Sequence, residues 1–209
     1  MKKISQKTIE RGVFYIRTLE ALLKDGQTLI SSNQLANITG FSDAQIRKDI
    51  SSFGKVGRPG IGYSTAELRN ILQDFVLKNE VVHVALFGVG SLGAAILKYP
   101  GFHKDGIKLV AAFDKMKNKV GATINGVKVY DPKRAVDVIK KTHADIGVIA
   151  VPKEHSQEVA DIIVLSGLRG IVNFSPISIA VPKNVMVKNI DLRVEFFSLF
   201  CNMQYNCGI

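Results

Sequence analysis

Cysteine is scarce in this chain of 209 residues, which has only Cys201 and Cys207. Two thiols six residues apart form neither a disulfide framework nor the ligand spacing of a zinc site. We therefore expect no structural metal. A thiol-based redox switch through this pair is an alternative.

Long apolar runs are absent as well. No stretch approaches the roughly 18 residues that suggest a membrane-spanning helix. Residues 1–5 lack the apolar segment and the cleavage site of a secretory signal. With 46% hydrophobic and 22% charged residues, the chain has the composition of a globular protein of one or two domains. We expect it in the cytoplasm, without a membrane partner.

Positive charge exceeds negative charge, and the net charge of +10 suits a polyanion such as nucleic acid. The excess is spread evenly. Residues 1–80 carry 12 Lys/Arg against 8 Asp/Glu, and residues 81–209 carry 16 against 10. Motifs, and not bulk charge, must therefore decide which part meets nucleic acid.

The first 80 residues have the pattern of a small helical domain. Apolar residues recur at helical spacing over 5–24, with Gly26 as the expected stop. Capping patterns S-x-x-Q at 31–34 and 42–45 open two short helices on either side of a Gly-Phe turn. The glycine-rich segment 54–63 predicts a tight hairpin, and another capping pattern at 64–67 opens a further helix. This order is that of a winged helix-turn-helix.

The helix that begins near residue 42 has one apolar and one cationic side. Ile46, Ile50 and Phe53 share the apolar side, whereas Arg47 and Lys48 point away from it. Such cations suit readout in the major groove of DNA, with the wing on the backbone or the minor groove. A protein-interaction domain with ordinary surface charge is the alternative. The predicted DNA contacts are Ser42, Gln45, Arg47, Lys48, Lys55, Arg58, Gly60 and Tyr63.

After residue 80 strands and helices alternate. Predicted strands cover 81–87, 107–113, 127–130, 146–151, 170–174 and 185–190, and helices cover 91–99, 155–165 and 191–205, with another beginning at Pro132. Continuous Val/Ile/Ala runs between helices predict a parallel sheet covered on both faces. We predict an α/β fold with a winged helix-turn-helix in residues 1–79, a Rossmann-type domain in 80–190 and a C-terminal helix in 191–209.

The first strand ends in a G-x-G-x-x-G motif formed by Gly88, Gly90 and Gly93. These glycines permit a tight turn, close approach of a pyrophosphate and packing of helix on strand. Asp114 lies 21 residues past Gly93, the spacing expected for the acidic residue of this motif. A carboxylate at this position accepts a hydrogen bond from the adenosine ribose and favours NAD over NADP. Three lysines follow and would soften that preference if they faced the site: Lys115, Lys117 and Lys119. Predicted cofactor contacts are Gly88, Val89, Gly90, Ser91, Leu92, Gly93, Asp114, Val151 and Pro152.

Support for catalysis is weak. None of the four histidines sits in a recognisable catalytic motif, and His155, after the strand that ends near Val151, is the one candidate general acid or base. We therefore expect a binding protein and no enzyme. The alternative is a small NAD-dependent oxidoreductase or a CoA-binding protein whose N-terminal domain dimerises.

The two halves together resemble the Rex family of redox-sensing transcriptional repressors over essentially the whole chain. The resemblance lies in AQIRKDI at 44–50, FG at 53–54, GIGY at 60–63, FGVGSLG at 87–93, YPGF at 99–102, FD at 113–114, VNFSP at 172–176 and NIDL at 189–192. It implies a homodimer in which the C-terminal helix swaps onto the partner. It also implies that the apo or NAD⁺-bound form binds a palindromic operator and that NADH releases it, so that fermentative or respiratory genes are repressed while NADH is low.

The resemblance also implies a switch formed by Arg17, by Tyr99 near the nicotinamide, and by Asp191. A carboxylate can pair with a guanidinium or accept from a phenol, and the redox state of the cofactor would bias that choice. One position departs from the family. Pro59 stands where the wing usually has arginine, and Arg58 supplies the cation instead.

Overall fold

The computed structural model describes residues 4–54, 56–57, 61–76, 80–104 and 106–206. It divides into two compact units, Met1–Glu80 and Val81–Ile209, each with its own apolar core. Three predicted DNA contacts, Lys55, Arg58 and Gly60, lie outside the described residues, and so do Pro59 and Cys207.

Within its described residues, the first unit contains four helices and a short two-stranded sheet. These are α1 (Gln6–Lys24), β1 (Leu29–Ile30), α2 (Ser32–Thr39), α3 (Asp43–Phe53), β2 (Tyr63–Ser64) and α4 (Thr65–Val76). The helices bury a shared core of Tyr15, Leu19, Leu35, Ile46, Ile50, Leu68 and Leu72. Strand β1, which the sequence pattern did not predict, pairs antiparallel with β2. Its two residues are too few for a periodicity to be visible.

The predicted caps of α2 and α3 are both formed, and they differ in one respect. Ser31 and Gln34 make the complete reciprocal box, with Gln34 N donating to Ser31 Oγ and Ser31 N to Gln34 Oε1. Ser42 caps α3 by accepting from Gln45 N at 3.2 Å. The Gln45 side chain does not complete this second box, because its amide donates to the carboxylate of Asp49 at 2.8 Å. A bond to a charged acceptor is the stronger of the two choices.

A buried carboxylate joins α1 to α3. Asp49 is 1% exposed and accepts from Arg11 at 2.5 and 2.8 Å, from the Tyr15 hydroxyl at 2.9 Å and from Gln45. Burial alone would raise the pKa of Asp49, but the hydrogen bonds from Arg11, Tyr15 and Gln45 outweigh it and hold the pKa below its ordinary value. This network orients the solvent side of α3.

The second unit is built on a seven-stranded sheet. Its elements are β3 (Val82–Phe87), α5 (Ser91–Lys98), α6 (Gly101–Lys104), β4 (Ile107–Phe113), β5 (Thr123–Ile124), β6 (Val127–Tyr130), α7 (Ala135–Thr142), β7 (Ile146–Ile149), α8 (Ser156–Leu165), β8 (Gly170–Asn173), β9 (Met186–Asn189) and α9 (Leu192–Asn206). The strand order is β5-β6-β4-β3-β7-β8-β9. Among these described strands β5 runs antiparallel to its neighbour, and the other pairs are parallel. The order reverses at β3, as in the doubly wound dinucleotide-binding fold.

The predicted elements are present, with shifted ends. Strand β7 ends at Ile149, two residues before the predicted end at 151, and the chain turns away towards Pro152, which has no N–H for a ladder. The helices predicted from 132 and 155 are preceded by single 3₁₀ turns at Pro132–Arg134 and Lys153–His155. Strand β5 and helix α6, each four residues or fewer, were not predicted.

Helix α9 is apolar and exposed. Its large apolar side chains are all more than half accessible and occupy a wide arc of the helix: Leu192, Val194, Phe196, Phe197, Leu199, Phe200, Met203 and Tyr205. Such a surface is unusual for a monomer and marks an interaction site.

Neither a membrane-spanning helix nor a metal-binding cluster occurs among the described residues. None of the helices in these ranges is long and apolar enough to cross a membrane. The same part of the chain holds no cluster of three His, Cys, Asp or Glu side chains that would suit a metal ion.

The Asp49 network predicts an effect on stability. Because the folded-state pKa of Asp49 is lowered, its contribution is complete above the unfolded-state value of about 3.9 and is lost as pH falls through the folded value. Asp49→Asn should lower the free energy of unfolding by about 3 kcal/mol at pH 7. Urea denaturation followed by circular dichroism measures this.

Asp43→Asn is the matched control, because Asp43 lies on the same helix and pairs with Arg47 at the surface. It should leave the transition nearly unchanged. Equal effects of the two variants would contradict a special role for Asp49.

Candidate functional site

The three glycines of the G-x-G-x-x-G turn meet three different constraints. Gly88 has φ +95°, and a Cβ there would lie 2.4 Å from the Ala150 carbonyl oxygen. A Cβ on Gly93 would lie 1.9 Å from the Gly88 carbonyl oxygen. At Gly90 a Cβ would meet nothing within 4 Å, so this position faces open space. The outer glycines thus permit the turn and the helix packing, and the middle one leaves room for a ligand.

The first turn of α5 offers unused amides to that space. Gly90 is the N-cap and makes no side-chain cap. The first helical hydrogen bond runs from Ala94 N to Gly90 O at 2.8 Å. The amides of Ser91, Leu92 and Gly93 therefore have no acceptor within the helix. An anion placed here would accept from these amides at the positive end of the helix.

Asp114 stands beside the turn at the end of β4, as predicted. Its Oδ2 accepts from Val89 N at 2.9 Å and from Lys119 Nζ at 3.2 Å, and its Oδ1 accepts from Met116 N at 2.8 Å. Burial would raise the pKa of Asp114, but the amides of Met116 and Val89, together with Lys119, hold the pKa below its ordinary value. Asp114 is therefore an ionised carboxylate fastened to the glycine turn.

A cavity of about 300 Å³ lies at the carboxyl ends of β3, β4 and β7, where the strand order reverses. Its size is at the lower end of the range for small-molecule sites. The predicted cofactor contacts that line it are Gly88, Gly90, Asp114, Val151 and Pro152. It is also lined by residues that the sequence did not assign to the cofactor: Phe87, Phe113, Met116, Pro132, Ala150, Glu158, Val159 and Ile162. Most come from α8 and the strand ends, and only the predicted topology pointed to them.

The other predicted cofactor contacts lie outside this lining. Val89 is buried and serves through its amide bond to Asp114, and Ser91, Leu92 and Gly93 form the first turn of α5. Tyr99 lies at the opposite end of α5, half exposed, with its ring against Phe102 at 4.9 Å.

The cationic side chains after β4 divide between partners. Lys119 pairs with Asp114, whereas Lys115 Nζ lies 2.5 Å from Nε2 of His155. Both pairs, Lys119 with Asp114 and Lys115 with His155, line the cavity. The other ring nitrogen of His155, Nδ1, lies 3.8 Å from Glu158. His155, the candidate for acid–base chemistry, is thus on the cavity wall, and in this pair its ring nitrogen accepts from an ammonium.

The predicted switch residues belong to different units. Arg17 is exposed on α1 and has no ion pair within the described ranges. Asp191 precedes α9 and accepts from Arg193 at 2.8 and 3.2 Å, which lowers the pKa of Asp191. The predicted role of Arg17, Tyr99 and Asp191 as a switch stays a prediction.

In the first unit, α3 presents two cations to solvent. Arg47 pairs with Asp43 one turn earlier, and its Nη1 lies 3.5 Å from Ser32 Oγ on α2. Lys48 is exposed and has no ion pair among the residues that the structure covers. Ser42 is occupied as the cap of α3 and Gln45 as a donor to Asp49. Tyr63 is half-buried in β2, and burial raises its pKa.

The described part of the wing is tightly closed at its base. Gly57 has φ +82°, and a Cβ there would lie 2.6 Å from the Tyr63 ring and 2.8 Å from the Gly62 carbonyl oxygen. The two arms of the loop therefore approach each other at these residues, as a hairpin requires.

Family models match both parts of the chain. A model described as "Putative DNA-binding protein N-terminus" matches residues 3–51, and one described as "CoA binding domain" matches residues 79–177. The first covers the helix-turn-helix and the second covers most of the parallel sheet.

Curated relatives match nearly the whole chain. The redox-sensing transcriptional repressor Rex of Pelotomaculum thermopropionicum is 39% identical over 201 residues, covering 96% of this chain and 94% of the relative. The Rex protein of Syntrophobacter fumaroxidans is 38% identical, with 97% of each chain covered.

Solved structures of RSP, a Rex-family repressor, have the same fold. The complex of RSP with β-NAD⁺ and operator DNA matches with a TM-score of 0.89 and 34% identity, covering 99% of this chain and 95% of RSP. The complex with β-NADH matches with a TM-score of 0.88 and 33% identity, covering 99% and 97%. On this identity over almost its full length, the chain belongs to the Rex family of redox-sensing transcriptional repressors.

Proposed function

We propose that this protein is a cytoplasmic transcriptional repressor that senses the ratio of NADH to NAD⁺. As a homodimer it binds a palindromic operator when apo or NAD⁺-bound, and NADH releases it. The observation that carries this proposal is the presence, in one Rex-family chain, of an α3 that presents cations to solvent and an open glycine cradle at Gly90.

The cofactor is held by the second unit. The α5 amides beside Gly90 would bind the pyrophosphate, and Asp114, already ionised, would accept from the adenosine ribose. Val151 and Pro152 line the cavity opposite the glycine turn and would pack against the dinucleotide. The dinucleotide supplies a nicotinamide whose redox state is the signal, with no turnover.

Operator DNA is held by the first unit. Arg47 and Lys48 on α3 are the proposed contacts in the major groove, with Ser42, Gln45 and Tyr63 beside them and Lys55, Arg58 and Gly60 in the wing. To contact a base, the Arg47 guanidinium must break its ion pair with Asp43 and bind the DNA instead. The four-way network at Asp49 keeps α3 in place while this exchange occurs.

The exposed apolar face of α9 supports the homodimer. Eight large apolar side chains of α9 are more than half exposed within the described residues, and a second copy with the same face would bury them. The proposed swap of α9 uses this surface. The proposed switch through Arg17, Tyr99 and Asp191 requires Asp191 to leave Arg193, a contact at the surface that costs little to break.

Family membership disfavours the oxidoreductase and CoA-binding alternatives, and the thiol switch stays a hypothesis. An oxidoreductase would rely on His155, but one nitrogen of this ring contacts Lys115 at the cavity wall, and the acid that faces the other nitrogen, Glu158, lies 3.8 Å away, beyond hydrogen-bond distance. For a thiol switch, Cys201 is exposed on α9, whereas Cys207 lies outside the described residues.

The central prediction concerns coupling between the two units. A palindromic duplex is first selected by the purified protein from a random-sequence library, and its binding is followed by fluorescence anisotropy. NADH should release this duplex, whereas NAD⁺ at the same concentration should leave it bound. Affinity should also fall steeply with salt, because counterions are released from the phosphates.

Equal effects of NADH and NAD⁺ would refute the sensor. Failure to select any duplex would refute the repressor. A response that disappears in a Cys201→Ser, Cys207→Ser double variant would favour the thiol alternative.

The glycine cradle gives the second prediction for this function. Gly90→Val places a side chain in open space, and Gly90 has φ −79°, which valine adopts easily. NADH affinity should fall about tenfold or more, because the valine side chain keeps the pyrophosphate away from the α5 amides. Thermal stability should be retained. Titration by nicotinamide fluorescence measures the affinity.

Gly93→Ala is the contrasting variant, since its Cβ would meet the Gly88 carbonyl at 1.9 Å. It should lower the melting temperature as well as the affinity. If Gly90→Val melted as early as Gly93→Ala, the role of Gly90 would be structural and not that of a cradle.

Arg47 gives a prediction about sequence readout. Arg47→Ala should weaken binding to the selected duplex by about 1–3 kcal/mol more than binding to a scrambled duplex, if the guanidinium reads a base edge. Lys24→Ala removes a cation at the end of α1 and should leave the ratio of the affinities for the selected and the scrambled duplex unchanged. A uniform loss on both duplexes would assign Arg47 to the phosphates instead.

A further inference from the structure

We propose that Gly101 and Asn125 hold the ring of Tyr99 in position, and that the release of operator DNA by NADH depends on this placement. Neither residue is among the predicted cofactor contacts or the predicted switch residues. The inference rests on the proposed function, because it concerns how Tyr99 takes part in the switch. Both residues act through Tyr99 and are therefore positioning residues.

Tyr99 stands where the chain leaves α5. Its backbone is extended, with φ −71° and ψ 115°, as expected for a residue that precedes a proline. Pro100 has no N–H and cannot continue the hydrogen bonds of the helix. The Tyr99 ring is 47% exposed. Neither a helix nor burial in a core fixes this ring, so its neighbours must do so.

The missing side chain at Gly101 makes room for the Tyr99 ring. A Cβ on Gly101 would lie 2.5 Å from Cε1, 2.7 Å from Cζ and 2.8 Å from Oη of Tyr99. Gly101 begins α6 and has no positive φ, so the ring, and not the backbone conformation, requires a glycine here. Phe102 also contacts the Tyr99 ring, edge to face, with 4.9 Å between the centroids. Phe102 itself packs against the core of the sheet.

The hairpin of β5 and β6 fixes the end of α5 from outside the helix. Asn125 Nδ2 donates to the Leu97 carbonyl oxygen at 2.9 Å. Leu97 lies in the last turn of α5, where carbonyl oxygens have no donor from a continuing helix. Because β6 pairs with β4, this bond ties the end of α5, two residues before Tyr99, to the sheet.

The turn of this hairpin allows the Asn125 side chain to be removed alone. Asn125 has φ +48° and Gly126 has φ +80°, and together they form a two-residue loop between Ile124 and Val127. Such a loop needs a positive φ at both positions, which asparagine tolerates and glycine adopts freely. Asn125→Gly therefore keeps the turn and removes the donor to Leu97.

The placement of the ring matters because a phenol bonds a carboxylate only at short range. A hydrogen bond from a hydroxyl to an oxygen spans about 2.5–3.0 Å, so moving the ring by about 1 Å breaks it. In the proposed switch, Asp191 either pairs with Arg17 or accepts from Tyr99. A displaced ring would leave Asp191 without its second partner, and NADH would lose its effect on DNA.

The first test measures the release factor, which is the Kd for the selected palindromic duplex at saturating NADH divided by the Kd without NADH. The purified full chain is used, and binding is followed by fluorescence anisotropy. Gly101→Ala should lower the release factor about fivefold or more, because the added methyl group displaces the Tyr99 ring. Asn125→Gly should lower it in the same direction.

Binding of ADP-ribose separates this role from a general loss of structure. ADP-ribose lacks the nicotinamide, and its affinity is measured by displacement of bound NADH. Both variants should bind it within about twofold of the parent chain. Thr123→Ala is the matched control, because Thr123 is exposed on β5 of the same hairpin. It should retain the full release factor and the affinity for ADP-ribose.

A spectroscopic readout reports on the ring itself. The chain has five tyrosines, so ring-labelled ¹³C-tyrosine gives few signals, and Tyr99→Phe identifies the signal of Tyr99 by its loss. Gly101→Ala and Asn125→Gly should both shift this signal, because the ring moves relative to Phe102. Thr123→Ala should leave it in place.

The outcomes separate this inference from the function on which it rests. If NADH does not release the duplex from the parent chain, the proposed sensor fails and this inference fails with it. If the parent responds but either variant keeps the full release factor, the sensor stands and the proposed pair is wrong. A loss of ADP-ribose affinity as large as the loss of release, or a loss of release without a shift of the Tyr99 signal, would also overturn it.

Discussion

The second unit depends on the close approach of α5 to the end of β3. A Cβ on Gly93 would lie only 1.9 Å from the Gly88 carbonyl oxygen, so no other residue at 93 fits this geometry without movement. This approach places the α5 amides beside the strand end. It also brings Val89 within reach of Asp114 on β4, and so joins the glycine turn to the acid that follows the next strand. The close contact between β3 and α5 therefore brings together the helix amides, the glycine turn and Asp114.

In the first unit, a buried charged group fixes the position of a helix. Helix α3 must present cations to solvent while remaining rigid, yet its own packing uses only Ile46, Ile50 and Phe53. Asp49 adds the directional contacts that apolar packing lacks, because three donors from α1 and α3 fix its two oxygens. A buried carboxylate thus sets the angle at which Arg47 and Lys48 face outward.

Local patterns allowed most elements and much of the site to be predicted. The capping residues Ser31 and Ser42, the three glycines and Asp114 act over short separations or at strand ends, where spacing alone places them. The contacts between Asp49 and Arg11 and between Lys115 and His155 join residues 38 and 40 positions apart. No periodicity encodes such pairs, since they exist only after helices and strands have packed. The side-chain bond from Gln45 to Asp49, across one helical turn, is likewise not marked by the capping pattern at 42–45.

A cavity that holds a dinucleotide for chemistry and one that holds it as a signal have different requirements. Catalysis needs a group poised to transfer a proton, whereas His155 is engaged with Lys115. A sensor needs its bound state to change the relation between two bodies. Here the chain has two compact units, and the apolar side chains of α9 are exposed within the described residues. A dinucleotide bound in the second unit therefore has surfaces outside its own cavity that a signal could use. The surfaces outside the cavity, more than its interior, favour signalling over turnover.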